Sequence, residues 1–440
     1  MKILAKAKKK VLGVLFLAGL TAGTSCILTG PTSPRKPEKG RPGAGVLSVF
    51  FTGNELGALK PCGCSGGQLG GLDRRSAVLD AVPEPRRLVV DTGSFVKSDS
   101  EQDLVKFNII VRALDLLDYD LVSLSEKDIE IGENLGLLDG LGSLFDVISP
   151  HRIAGMNVPA TFTKKLSLQG RTVVVTVAAF DAKSSPIEQI EGLFRPQPGQ
   201  QAVGILILNR CDPGMIDSIT EGVPAVDCIV CPAESDEPMV MGDPDKRPLV
   251  FSVGRFGRHV CELQIRVAER LKLSFRAIKV KEDLPQEAAL VELYEDYQQI
   301  VRERNLLEKY PRFFLPAGLE YTGSKSCRPC HTDEYDKWGT SAHARAYATL
   351  ERVGSQFDPE CVICHVVGMD YESGFVSEQK TEHLKNVGCE NCHGPGSEHI
   401  TTLGKTKLTK PKSGCTDCHT PEHSSDYAGN EQQKLEKIAH

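Results

Sequence analysis

The chain has 440 residues, 25% of them charged and 40% hydrophobic, and a formal net charge of −6. That length accommodates two or three domains, and the acidic balance excludes nucleic acid as a partner, because neutralising phosphates needs a basic surface. Of the 15 cysteines, eight fall between Cys327 and Cys418, and nine of the 11 histidines follow residue 330, a skew that points to a metal or cofactor domain at the C-terminal end.

Lys2, Lys6, Lys8, Lys9 and Lys10 open the chain, followed by a short apolar run from Val11 to Leu20. The run is too short to span a bilayer, so residues 1–26 are expected to act as an export signal. Gly23-Thr24-Ser25-Cys26 sets a cysteine after small residues, as at a bacterial lipoprotein cleavage site, and acylated Cys26 would anchor the chain to a membrane. Gly23 stands where such sites usually carry leucine, which leaves an ordinary cleaved signal as the alternative. The expected location is the periplasm or the outer-membrane surface. Residues 27–45, rich in Pro, Gly, Lys and Arg, read as a flexible tether.

From Val46 to Lys281, short β-branched runs alternate with helical stretches. Strands are predicted over 46–51, 87–90, 121–124, 171–179, 203–208, 226–230 and 249–253, several of them continuously apolar, as strands buried on both faces should be. Helices are predicted over 101–118 and 284–309. Residues 46–282 therefore form an α/β domain. The second helix is heavily charged and is expected to be a solvated linker over 283–317. From Tyr321 on, glycine and short helical pieces dominate, without strand pattern.

Four segments in this last part match Cys-x-x-Cys-His: Cys327–Cys330–His331, Cys361–Cys364–His365, Cys389–Cys392–His393 and Cys415–Cys418–His419. Two thiols three residues apart share one face of a helical turn and can each add to a haem vinyl group, and the next histidine then turns its imidazole to the iron. One such motif would equally suit a zinc half-site or a redox dithiol. Four of them behind an export signal select four covalently attached haem c groups. So many cofactors in about 120 residues must supply much of the core, by the logic that couples metal binding to folding.

Around these motifs the chain resembles the tetrahaem cytochromes related to the electron acceptor in bacterial hydroxylamine oxidation. The similar phrases run from Cys330 to His343, from Asp358 to Cys361, from Val387 to His399, from Cys418 to Glu422 and from Lys437 to His440. The resemblance covers residues 318–440 and implies a mostly α, haem-packed domain. It also implies that His343, His399 and His440 are distal iron ligands, three for four haems. His383 and His423 are expected to face solvent, although either could fill the fourth place. Two histidines saturate an iron, whereas an open position permits ligand chemistry.

Residues 46–282 resemble the metallophosphatase domain of the 5'-nucleotidase family, which implies an α/β sandwich. Phe51 to Gly57 stands at its Asp-x-His loop, Gly70 to Arg74 at its Gly-Gly-x-x-Arg helix start, Val90 to Ser94 at its Gly-Asp pair, Tyr119 to Asp128 at its Asn-His-Glu strand and Asp227 to Glu234 at its Gly-His-x-His loop. The ligands themselves are replaced: Asn54-Glu55-Leu56 for Asp-x-His, Gly93-Ser94 for Gly-Asp, Ser125-Glu126-Lys127 for Asn-His-Glu. A two-metal hydrolase needs that ligand ring, so no dinuclear centre is expected, and Glu55, Asp91, Glu126 and Asp128 read as surface or structural carboxylates. Cys62, Cys64, Cys228 and Cys231, with Cys211, are expected to converge at the former metal site, as disulfides or as a four-cysteine metal site; Cys261 makes the spare count even. The function expected is electron transfer between redox partner proteins, with the phosphatase-like domain as scaffold or docking module. The alternatives are small-nitrogen redox chemistry at an open haem and a periplasmic phosphoesterase.

Overall fold

The computed structural model describes residues 46–440 apart from 62–66, 152, 154–155, 196–198, 317, 409–413, 421–422, 425 and 440. Cys26, Cys62, Cys64 and His440 therefore lie outside the described residues, as do the export signal and the tether. None of the described helices is long and apolar enough to cross a membrane.

Twelve strands make two six-stranded mixed sheets. They are β1 (Val46–Thr52), β2 (Arg87–Asp91), β3 (Leu121–Ser123), β4 (Asp146–Ile148), β5 (Thr161–Leu168), β6 (Arg171–Phe180), β7 (Ala202–Leu208), β8 (Cys228–Cys231), β9 (Met239–Met241), β10 (Leu249–Ser252), β11 (His259–Arg266) and β12 (Lys272–Lys279). The first sheet runs β12-β11-β1-β2-β3-β4, parallel from β1 to β4, with β11 antiparallel to β1. The second runs β5-β6-β7-β8-β10-β9, parallel from β6 to β10 and closed by antiparallel edges.

The alternation of side chains along a strand decides which core each residue joins. In β1, Leu47, Val49 and Phe51 face the second sheet, and Phe50 faces the helices. The apolar layer between the sheets also holds Val173, Val175 and Val177 of β6 and Val203, Ile205 and Ile207 of β7. The outer face of the first sheet is covered by α1 (Leu72–Leu79), α2 (Glu101–Leu116), α3 (Glu126–Leu135), α4 (Leu138–Leu141) and α6 (Ala288–Glu303), and that of the second by α5 (Pro213–Gly222). Helix starts follow local chemistry. Ser100 caps α2 through the Asp103 N–H, Ser125 and Asp128 form a reciprocal capping box on α3, and Asp212 caps α5.

The charged helix expected as a solvated linker is instead part of the first core. Leu290, Leu293, Tyr297 and Val301 of α6 recur at helical spacing and are buried against α1 and α2. Its charges occupy the opposite face. The helix breaks at Asn305, whose φ of 53° is left-handed, before a short turn at Leu306–Lys309.

Residues 318–440 hold helices of four to nine residues and two isolated bridges. Their described apolar core is one small cluster around Tyr347, Val362, Val367 and Phe375, to which Leu307 contributes.

Candidate functional site

The ends of β1, β2 and β3 carry the loops where a phosphatase would bind metal. Here the loops are knitted to each other. Asn54 N–H donates to the Gly93 carbonyl at 2.7 Å and Gly57 N–H to the Phe95 carbonyl at 2.7 Å. Gly93 has φ 81°, and a Cβ there would lie 2.5 Å from the Ser123 carbonyl, so only glycine fits. Asp128, far from being a surface group, is fully buried and accepts from the backbone N–H of Ser94 (2.7 Å), Phe95 (2.9 Å) and Ser125 (3.0 Å). Its carboxylate is spent on holding the loop. Glu126 is exposed.

Glu55 and Arg75 form an ion pair at 2.6 Å with both side chains 0% exposed. Arg75 also donates to the Tyr119 hydroxyl (3.1 Å), which hydrogen-bonds Thr52 Oγ1 (2.8 Å), which donates to Asp91 (2.6 Å). One guanidinium thus supplies positive charge to the acidic residues at these strand ends. Burial, then Glu55, push the Asp91 carboxyl up to about 7, and burial raises Tyr119 to about 12. Among the described residues no group of three or more His, Cys, Asp or Glu could hold a metal ion. The two histidines of this part serve elsewhere: His259 pairs with Glu237 at 3.1 Å and His151 lies 3.9 Å from Asp181. Arg75, Tyr119 and Thr52 were not legible as partners of the acids, because nothing in their spacing marks them.

Of the outcomes expected for these cysteines the structure builds a disulfide, without Cys228 beside it. Cys231 is joined to Cys211 by a disulfide, whereas Cys228, three residues earlier on the same strand, faces the opposite side. Three is an odd step, and odd steps change faces in a strand. Cys228 and Cys261 are free thiols buried between the sheets, each pushed up by burial. A four-cysteine site through both Cys228 and Cys231 is therefore excluded. The disulfide closes a separation of 20 residues, worth about 3 kcal/mol by loop-closure entropy.

In the C-terminal region each described motif begins in a helical turn: Cys389–His393, Cys415–Cys418, Pro359–Val362 around Cys361, and the turn that follows Ser324–Ser326 into Cys327. His331 N–H donates to the Cys327 carbonyl (3.0 Å) and His419 N–H to the Cys415 carbonyl (2.9 Å), so one turn brings both thiols and the imidazole together.

Each distal candidate within the described residues meets one motif. His399 faces His331 with ring centroids 6.3 Å apart, and His343 faces His419 at 6.1 Å. Two imidazoles sharing one metal ion, with bonds of about 2 Å, have centroids about 6 Å apart, so both pairs fit an iron between them. Second partners fix the rings. His399 Nδ1–H donates to the Thr406 carbonyl (2.8 Å), His419 Nδ1–H to Ser424 Oγ (2.7 Å) and His365 Nδ1–H to the Ala346 carbonyl (2.7 Å), which leaves Nε2 for metal in each. Burial, with His419 and His365 close by, holds His343 below the usual histidine range. His383 is exposed; His423, expected to face solvent, is half-buried and bonded to Thr420 Oγ1 (2.9 Å). Trp338 donates to the Val387 carbonyl (2.9 Å) and packs on Tyr335.

The motifs also touch one another. Cys327 contacts Cys389, Cys364 contacts Cys418, and Cys392 lies beside Cys415 and Cys418. The attachment points thus run in the order first, third, fourth, second.

Residues 326–394 match the cytochrome c554 and c-prime family. Cytochrome c-554 of Nitrosomonas europaea is 34% identical over 115 residues, 23% of this chain and 49% of that protein; the chain thus spans about half the length of this relative. The c554-like region accordingly carries covalent haem c. In structure the chain is similar to a putative 5'-nucleotidase from Staphylococcus aureus (12% identity, TM-score 0.46, 70% of this chain and 66% of that one). It is also similar to a 5'-nucleotidase precursor from Thermus thermophilus (16%, 0.42, 71% and 68%).

Within the c554-like region one buried residue was not foreseen. Glu390, between the two cysteines of the third motif, is 2% exposed and accepts from the backbone N–H of Thr322 (3.0 Å), Gly323 (2.7 Å) and Gly396 (2.7 Å). It ties together the approach to Cys327 and the approach to His399. Charge-assisted bonds of this kind contribute about 1.5–3 kcal/mol each. Glu390→Gln is expected to destabilise the region by about 3 kcal/mol and to raise the high-spin fraction of the haem on His331. Unchanged spin state would assign Glu390 to stability alone.

Proposed function

We propose that this chain is an exported electron-transfer protein carrying four covalent haems, one on each Cys-x-x-Cys-His motif. The observation that carries this reading is the pairing of His331 with His399 and of His343 with His419 at the spacing of two axial ligands on one iron. Saturated iron favours electron exchange without substrate binding, and the contacts between motifs give electrons a continuous course from the first motif through the third and fourth to the second. By its resemblance His440, which lies outside the described residues, is the third distal ligand, and one haem keeps an open position. Redox partner proteins deliver and remove the electrons. Acylated Cys26 holds the chain at the periplasmic or outer-membrane surface.

An open position favours a second reading, the reduction or oxidation of a small nitrogen species at that haem. The nucleotidase-like domain is catalytically inactive in this account. Glu55 is neutralised by Arg75, Asp91 is tied to Thr52 and Gly93, and Asp128 is tied to backbone. The test is chemical. Pyridine haemochrome assay and intact mass of the matured protein should give four haems per chain, and nucleotides with added manganese or zinc should release no phosphate above background. Fewer haems would refute the electron-transfer reading. Phosphate release lost on mutating Asp91 would refute the inactivity.

A further inference from the structure

The second haem motif is the one most firmly held by the nucleotidase-like domain. Asp358 caps the helix that carries Cys361 and is 4% exposed. Its carboxylate accepts from Gln102 Nε2 of α2 (2.7 Å), from the Tyr297 hydroxyl of α6 (3.0 Å), from Gln298 Nε2 of α6 (3.3 Å) and from the Glu360 N–H (3.1 Å). Gln102 also donates to the Tyr297 hydroxyl (2.8 Å). Next to it, Lys106 of α2, 3% exposed, pairs with Glu360, the residue before Cys361. Arg302 stacks on Phe357 at 4.7 Å.

These contacts have a common property. α2 and α6 belong to the core of the first domain, and their polar side chains converge on four consecutive residues, Phe357 to Glu360, directly before the first cysteine of one motif. A buried cation so close to a haem attachment point has a sign-definite effect. Oxidation adds positive charge to the iron, so a nearby lysine disfavours the ferric form and a nearby carboxylate favours it; buried Lys106 is little screened, and the more exposed Glu360 is screened more.

We propose that the nucleotidase-like domain sets the position and the reduction potential of the second haem, with Lys106, Gln102 and Tyr297 as positioning residues acting through Asp358 and Glu360. This rests on the four-haem reading above. It gives the disarmed domain a task that needs no metal: holding one haem of the chain at a potential of its own.

The test is a spectroelectrochemical titration of the full haem-loaded protein, comparing Lys106→Met, Glu360→Gln and the double variant with the unmodified chain. In Lys106→Met one haem of four should shift toward the ferric form by about tenfold in its oxidised-to-reduced ratio, about 59 mV for one electron. In Glu360→Gln, whose side chain is 56% exposed and whose loss spares the core, the same haem should shift the opposite way. The double variant should return toward the original value. A purely structural contact would not give opposite shifts at one haem, so four unmoved potentials in a folded Glu360→Gln protein overturn the proposal, as do equal shifts at all four haems. A haem count other than four overturns the reading beneath it instead.

Discussion

With all eight motif cysteines changed to alanine, residues 318–440 are expected to lose their fold while residues 46–282 keep theirs. The reason is the distribution of apolar side chains. The first domain has three large clusters, one between the sheets and one on the outer face of each. The C-terminal region has one described cluster, built around Tyr347, Val362 and Phe375. Ordering each residue costs about 1–2 kcal/mol in backbone entropy, and helices of four to nine residues do not hold themselves in water. In the proposed reading covalent haem supplies the missing apolar mass, and an iron held by His331 and His399 cross-links segments distant in sequence. Hydrogen exchange of the haemless variant should show protection in β1, β6 and β7 and almost none from residue 318 onward, except near the Asp358 clasp. Cooperative protection across residues 318–440 would mean that the polypeptide folds without its cofactor.

The second large effect is expected at Arg75. Replacing it with methionine leaves Glu55 buried without its counter-charge, and such broken pairs lose about 3–5 kcal/mol. Arg75→Met should therefore lower the stability of the first domain by that amount, measured by urea unfolding. Replacing both partners, with Glu55→Leu added, should recover most of it, because two apolar groups need no solvation. A loss below about 1 kcal/mol in the single variant would show that water reaches the pair. Asp91 adds a pH dependence. Its carboxyl is raised from 3.8 to about 7 in the folded chain by burial and by Glu55. A raised acid contributes stability that is fully present below about pH 4 and is lost as pH rises through about 7. The first domain should thus weaken over that window. Asp91→Asn, which keeps the shape and the contact to Gly93, should flatten the slope.

The haem motifs were legible because their chemistry is local: two thiols and an imidazole within five residues, repeated four times, point to covalent haem where a single copy would suit zinc or a redox dithiol equally. The continuously apolar strands were legible for a similar reason, and β1, β2, β6, β7 and β10 lie within a residue or two of the predicted runs. Edge strands were not. β5 carries two lysines and β12 two lysines and an arginine among their apolar residues, so their alternation hides among charges, and their place is fixed by pairing with β6 and β11 rather than by their own composition. The charged helix α6 misled in the same way, since only four of its 16 residues are buried. The cysteines failed because sequence spacing does not reveal which face of a strand a thiol takes once the strand's ends are uncertain. Glu390 and Arg75 act through partners far along the chain, which is information that a single sequence does not display.

Mössbauer spectroscopy of the ferric, haem-loaded protein grown on enriched iron tests the central claim most directly. Every iron is counted, and its spin state reports its ligands. Three quarters of the iron should be low-spin, as the proposed ligation by the pairs His331/His399 and His343/His419 and by one further distal histidine, His440, requires. One quarter should be high-spin and should convert when cyanide is added. A spectrum with half or more of the iron high-spin would contradict the histidine pairing. One that is wholly low-spin and unmoved by cyanide would contradict the proposed open position.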